Sequence, residues 1–315
     1  MLNAEKKWRI GTRESALATW QAKFVQDLLQ QHHMESELVF IKTEGDINLT
    51  TPLYELGVQG IFTKSLDAAL LDGRIDLAVH SMKDVPVILA QGLVQAAVLE
   101  RASYKDLLVW QEGIQNPSEE VLMHQGNHTI ATSSVRRKAQ WLNRYPQATI
   151  ENIRGNVNTR LKKLKESHWQ GAIFAAAGLE RIGLRTATAI NLDWMLPAPA
   201  QGAIMVVCRG VDETLRNATS VISHSPTEIC TAVERSILHL LKGGCSTPIS
   251  ALAILEGEKL HVRASVLSLD GKEKVEVENS FALEDASNAA TIMVNELLER
   301  GADVIIENLN KDENY

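Results

Sequence analysis

The chain has 315 residues, 45% of them hydrophobic, and a formal net charge of −7. That length buries a large core and divides into two or three domains, while the acidic balance argues against a general nucleic-acid binder and leaves any basic patch a local arrangement. The start, "MLNAEKKWRI", has no apolar signal segment and no later run approaches the roughly 18 apolar residues that span a bilayer, so a cytosolic protein without a membrane partner is expected.

In chain order, "WRIGT" reads as a strand, Ser15 as a helix cap, and Leu17, Trp20, Phe24 and Leu28 as an apolar stripe at helical spacing. "ELVFIKT" is a second strand. "FTKSLDAALLDG" places Phe62, Leu66 and Leu70 on one helical face and ends at Gly73, which takes a left-handed conformation at little cost. "IDLAVHS" follows as a third strand. Strands alternating with helices predict a parallel sheet with helices on its faces. After the polar stretch "WQEGIQNPSEEVLMHQGNH", a second series runs through "TIATSS", helix "VRRKAQWLNRY", strand "ATIENIR", helix "NVNTRLKKLKES", strand "GAIFAAAG" and helix "LERIGL". "LPAPAQGAIMVVCRG" then reads as a crossing between domains that returns the chain to the first sheet. Beyond "SHSPTE" come a helix over 227–241, the loop "GGCSTPIS", two or three alternating strands and a final helix near "DASNAATIMVNELLERG", a small α+β domain.

Ligands of open α/β sheets bind outside the carboxyl ends of the strands, where helix amino termini present free N–H groups. Three such junctions carry polar residues: "GTRES" with Arg13 and Ser15, "ATSSVRR" with Ser133, Ser134, Arg136 and Arg137, and "NIRGNVNTR" with Arg154 and Arg160; Arg181 follows a fourth strand. Each alone is an ordinary helix start. Together they point to a partner anion, because arginine at a helix start opposes the helix dipole. The absence of GxxxxGK[ST] and GxGxxG favours a multiply carboxylated ligand over a nucleotide.

In "DLAVHSMKDVP" a buried strand runs into Ser81, Lys83 and Asp84 before Pro86. A carboxylate facing an arginine-lined crevice either stabilises a developing cation or delivers a proton. Cys245, between Gly243–Gly244 and Pro248, reads equally as a buried structural cysteine or as a thiol held towards that crevice. Cys208 and Cys230 read as core. Three cysteines without CxxC spacing indicate neither a disulfide framework nor a zinc knuckle, and the histidines show no metal-binding spacing, so no metal is expected. On the architecture and arginines alone, a hinged two-domain receptor for a small carboxylate is the alternative to an enzyme.

The segments "RIGTRESALATWQA", "KTEGD", "GIFTKSLDAALLDGRIDLAVHSMKDVP", "TSSVRRKAQ", "RGNVNTRLKKL", "AAAGLERIGL", "PAPAQGA", "AVERSIL" and "GGCSTPI" occur in one order along nearly the whole chain, and through them it resembles the porphobilinogen deaminase (hydroxymethylbilane synthase) family, transferases of tetrapyrrole biosynthesis. The resemblance implies two α/β domains like type II periplasmic binding proteins, with the active cleft between them, and a third small α+β domain carrying the cofactor cysteine. Here these would be 1–104 with 203–222, 105–202, and 223–315. It implies a dipyrromethane cofactor on Cys245 through a thioether, porphobilinogen as substrate, and a monomer. Asp84 would be catalytic. Lys83, Ser133, Ser134, Arg136, Arg137 and Arg160 would bind the cofactor, and Arg13, Ser15, Phe62, Ser81, Arg154 and Arg181 the substrate. Gln59 and Glu55 stand where many relatives place lysines, which weakens electrostatic guidance there, and Ala200 replaces a common glycine, which stiffens the crossing.

Overall fold

The computed structural model describes residues 7–42, 63–113, 128–244 and 247–312; Glu55, Gln59, Phe62 and Cys245 lie outside them. The described residues form two compact units, one from 7–42, 63–103 and 201–229, the other from 104–113, 128–200, 230–244 and 247–312.

In the first unit, β1 (Trp8–Thr12), β2 (Ser36–Phe40), β3 (Leu77–Ser81), β4 (Leu93–Val98) and β10 (Ile204–Arg209) make a five-stranded sheet in the order β2-β1-β3-β10-β4. β1 is parallel to β2 and β3, whereas β10 is antiparallel to both of its neighbours. The central strands, "LAVHS" and "IMVVCR", are nearly continuous apolar runs because both faces of the sheet are covered. Helix α1 (Ala16–Gln31) covers one face, but with a different phase from the expected stripe. Its buried side chains are Gln21, Ala22, Val25 and Leu29. The small Ala22 and Val25 let the helix approach the strands, while Trp20 and Phe24 stack on each other at its flank, ring centroids 5.2 Å apart. Helix α2 (Lys64–Leu71) buries Leu66, Ala69 and Leu70, and Gly73 follows at φ +68°, as read from the sequence.

The second unit repeats the plan. β5 (Asp106–Trp110), β6 (Thr129–Ala131), β7 (Thr149–Glu151), β8 (Gly171–Ala175) and β9 (Ile190–Asn191) are ordered β7-β6-β8-β5-β9. β6 is parallel to β7 and β8, and β5 is antiparallel to β8 and β9. Helices α3 (Val135–Arg144), α4 (Val157–Glu166) and α5 (Ala176–Arg181) connect its strands. The fold is thus α/β, with two five-stranded sheets built on one plan, neither of them purely parallel. β5 and β10 join their sheets from distant sequence rather than through a β-helix-β crossover, so nothing forces them into the parallel sense.

Helices α6 (Glu213–Thr219) and α7 (Ser225–Leu240) follow β10. The last sheet is an antiparallel meander of β11 (Ile249–Glu256), β12 (Lys259–Leu267) and β13 (Lys274–Ala282). One face packs Ala251, Ala253, Val262 and Ala264 against Cys230, Val233 and Ile237 of α7, and against α8 (Ala286–Glu299) and α9 (Ala302–Asp312). The single terminal helix expected from the sequence is therefore two. Glu234 of α7, fully buried, accepts the N–H of Ala253 through Oε1 at 2.7 Å and that of Ala200 through Oε2 at 2.6 Å. Ala200 has φ 61°, a left-handed conformation unusual for a residue with a Cβ. Cys208 and Cys230 are buried.

Candidate functional site

In the first unit the site residues gather where β1 and β3 end. Ser15 caps α1, its Oγ accepting the Ala18 N–H at 3.3 Å, and Thr12 Oγ1 donates to the Ala18 carbonyl at 3.0 Å, which fixes the turn carrying Arg13. Ser81 exchanges hydrogen bonds with the amide of the buried Gln21, Nε2 donating to Oγ at 2.9 Å. β3 does not run on to Asp84. It stops at Ser81, and Met82–Asp84 form a single 3-10 turn closed by the Val85 N–H on the Met82 carbonyl, with Pro86 beyond. At three residues per turn, neighbouring side chains diverge by about 120°. Lys83 and Asp84 are thus splayed: Asp84 is exposed, while Lys83 is partly buried and donates from Nζ to Gln201 Oε1 at 3.2 Å.

His80 is buried one residue before Ser81, and its Nε2 meets no hydrogen-bond partner among the described residues. β1 and β3 run parallel, Gly11 pairing with Ala78, and Arg13 just beyond the end of β1 lies near enough for its charge to act on His80. Burial first, then the charge of Arg13, pushes the His80 pKa down to about 4, so the imidazole is neutral near pH 7.

In the second unit Ser134 caps α3, accepting the Arg137 N–H at 3.4 Å. Ser133 Oγ accepts the Ile153 N–H at 3.1 Å and ties the loop after β6 to the loop after β7, where Arg154 is buried. Asn156 caps α4, and Arg160 in its first turn donates from Nε to the Gly155 carbonyl at 2.8 Å. The anion that Arg136 and Arg137 meet is internal. Asp106, fully buried at the start of β5, accepts from Arg136 Nη2 at 2.7 Å and from Arg137 Nε and Nη2 at 3.1 and 2.7 Å. The remaining bonds go to the carbonyls of Leu196 and Ile173. Burial lowers the Arg136 pKa against the opposing pull of Asp106. Two guanidiniums against one carboxylate leave the cluster one positive charge in excess. Arg181 corrects the helix-start argument, because it is the last residue of α5, where a cation suits the dipole. Burial lowers its pKa to about 10.

Sequence reasoning missed Asp106, Gln21, Gln201 and His80. Asp106 left a trace, a lone acid opening the apolar run "LLVW"; the glutamines left none, since only the fold shows what their amides face.

The family model described as porphobilinogen deaminase, dipyromethane cofactor binding domain, matches residues 8–217, and that of the porphobilinogen deaminase C-terminal domain matches residues 228–299. This chain belongs to the porphobilinogen deaminase family. A porphobilinogen deaminase of Chlorobium phaeobacteroides (strain BS1) is 40% identical over 315 residues, covering 98% of this chain and 99% of that one. Among solved structures, an ancestral cationic amino acid solute binding protein is 12% identical, with TM-score 0.41, over 69% of this chain and 87% of its own. The second substrate binding domain of an amino acid ABC transporter from Streptococcus pneumoniae Canada MDR_19A is 11% identical, with TM-score 0.44, over 69% and 91%.

The family's cofactor is a dipyrromethane, whose two pyrroles carry acetate and propionate groups. The donor set of the second unit fits such a polyanion. Arg136 and Arg137 outnumber their single carboxylate, and Arg154, Arg160 and Arg181 add three guanidiniums from the loop after β7, α4 and α5. Among the described residues no group of three His, Cys, Asp or Glu side chains gathers to hold a metal, and no helix is long and apolar enough to cross a membrane.

Proposed function

We propose that this chain performs the family's reaction, head-to-tail condensation of four porphobilinogen molecules on a dipyrromethane primer joined through a thioether to Cys245, with hydrolytic release of hydroxymethylbilane, and that Asp84 is its catalytic carboxylate. Each addition breaks the aminomethyl C–N bond, releases ammonia, and forms a C–C bond to the preceding pyrrole, whose α-carbon then gives up its proton. Positive charge develops on the incoming ring as ammonia leaves. A carboxylate stabilises that charge, accepts hydrogen bonds from pyrrole N–H groups and takes part in proton transfer. When bound, the dipyrromethane supplies the pyrrole carbon to which the first substrate ring is joined.

The chain's own residues bind and orient. Arg13, Arg154 and Arg181, with Ser15 and Ser81, hold carboxylates of the substrate, and Phe62 gives its ring an apolar wall. Lys83, Ser133, Ser134, Arg136, Arg137 and Arg160 hold those of the primer, and Lys83 also takes a carboxylate of the incoming ring. Asp106 keeps Arg136 and Arg137 from being two unopposed buried charges and leaves their excess charge for a ligand. We read the chain as a cytoplasmic monomer of three domains, 1–104 with 203–222, 105–202 and 223–315.

The observation that supports this reading most is the turn Met82–Asp84, which exposes Asp84 while Lys83 is held beside it. Two variants test it. Asp84→Ala should keep the wild-type unfolding curve, as an exposed site, and lose at least about a hundredfold in kcat; a loss of only a few-fold removes Asp84 from the chemistry. Intact mass should show an adduct of two pyrrole units on the purified wild type and none on Cys245→Ser. An equal mass for both, before and after incubation with porphobilinogen, overturns the attachment.

A further inference from the structure

Lys83 stands next to the residue proposed to carry the chemistry, and a lysine ammonium on a four-carbon stem is poorly fixed by its own backbone. Here Gln201 supplies an anchor. Gln201 is fully buried, and Lys83 Nζ lies 3.2 Å from its Oε1. Lysine has only donors to offer, so the glutamine must turn its oxygen inward. The acceptor is neutral, so this contact fixes the ammonium without cancelling its charge, as a carboxylate at the same place would.

Gln201 is itself held rigidly. Its carbonyl accepts from Arg101 Nε at 2.8 Å. The next residue, Gly202, has φ +91°, and a Cβ there would stand 2.6 Å from the Ala102 carbonyl oxygen and 2.8 Å from that of Ser103. Gly202 and Ala102 share a backbone hydrogen bond, and the Met82 N–H donates to the Ala203 carbonyl at 3.0 Å, so the turn that carries Lys83 hangs on the same segment as Gln201.

We propose that Gln201 is a positioning residue for the reaction: its amide oxygen holds the Lys83 ammonium where it meets a carboxylate of the pyrrole ligands. This rests on the reading of Lys83 as a carboxylate-binding residue.

The test is a double-mutant cycle on the full chain with Gln201→Leu and Lys83→Met, read as kcat and KM for porphobilinogen, with unfolding curves alongside. A hydrogen bond to a charged group is typically worth enough to change binding about tenfold. Gln201→Leu should therefore raise KM about tenfold with kcat changed less than about threefold, and should add little in the Lys83→Met background. Gln201→Glu, which keeps an acceptor but adds a charge that offsets the ammonium, should also raise KM. If Gln201→Leu lowers stability and leaves KM unchanged while Lys83→Met raises it, Gln201 is only a packing residue and the inference fails. If Lys83→Met itself leaves KM unchanged, it is the reading of Lys83 that fails. Additive effects of the two substitutions also overturn the positioning role.

Discussion

Two carboxylates, Asp84 and Asp106, illustrate opposite uses of the same group. Asp84 is exposed on its turn, whereas Asp106 is fully buried between two guanidiniums. A buried charge is tolerable only when paired, and removing one partner strands the other. Asp106→Ala is therefore expected to cost about 3–5 kcal/mol, read as a lower urea midpoint, with Asp106→Asn also strongly destabilising. A midpoint within experimental error of wild type would mean that the arginines find other acceptors. At this scale the sequence was legible where side chains act through their immediate neighbours. Ser15 was marked as a cap by position, and it is one. It was not legible where partners come from far along the chain. Arg136 and Arg137 call for an anion, but their nearest one lies some thirty residues back, across the sheet, and no local pattern reveals it.

Among the elements, the segment 200–202 concentrates the unusual backbone. Ala200 lies at φ 61° and Gly202 at +91°, and their tolerances differ. A left-handed residue with a Cβ costs about 1–2 kcal/mol, and Ala200→Gly removes that cost. The gain is offset by greater freedom of the unfolded chain, about 0.4–1 kcal/mol, and by the loss of a buried methyl worth about 0.8 kcal/mol. Ala200→Gly should therefore shift the unfolding free energy by less than about 1 kcal/mol. Gly202→Ala meets two backbone oxygens that cannot step aside, and should destabilise by more than about 2 kcal/mol. Thermal unfolding of the two variants separates these outcomes, and equal shifts would contradict the argument. The unbroken apolar run "LAVHS" and the helix "VRRKAQWLNR" were readable in advance. β4, β5 and β9 were not, because "LVQAAV" lacks alternation, "DLLVW" adjoins an irregular stretch and "IN" is a two-residue bridge defined only by its neighbour. The phase of α1 was misread because its largest apolar residues lie at the edge of the buried face rather than at its centre.

For the molecule as a whole, two buried histidines set an acid limit. Burial lowers the pKa of His128, whose Nε2 accepts from Trp141 Nε1 at 3.0 Å, and His80 is held at about 4. Between the ordinary histidine value near 6.5 and about 4 the unfolded chain binds protons that the folded chain refuses, so stability falls as pH falls through that window and is fully present above it. His80 alone accounts for up to about 3 kcal/mol of this loss. Urea unfolding from pH 7.5 to 4.5 should show the decline, less steep in His80→Gln; identical slopes would place the acid sensitivity elsewhere. The sheet order also bears on how the chain comes into being. β10 lies between β3 and β4, yet it is separated from β4 by all five strands of the second sheet. As the chain leaves the ribosome, amino terminus first, the second sheet has all its strands while the first still has a gap at its fourth position. Until Ile204–Arg209 arrives, β3 presents an unpaired apolar edge and β4 has no strand to join, the kind of open edge that invites pairing with another chain. The unit that begins the sequence is thus the one that finishes folding late, and a nascent chain stalled short of Ile204 leaves that apolar edge open.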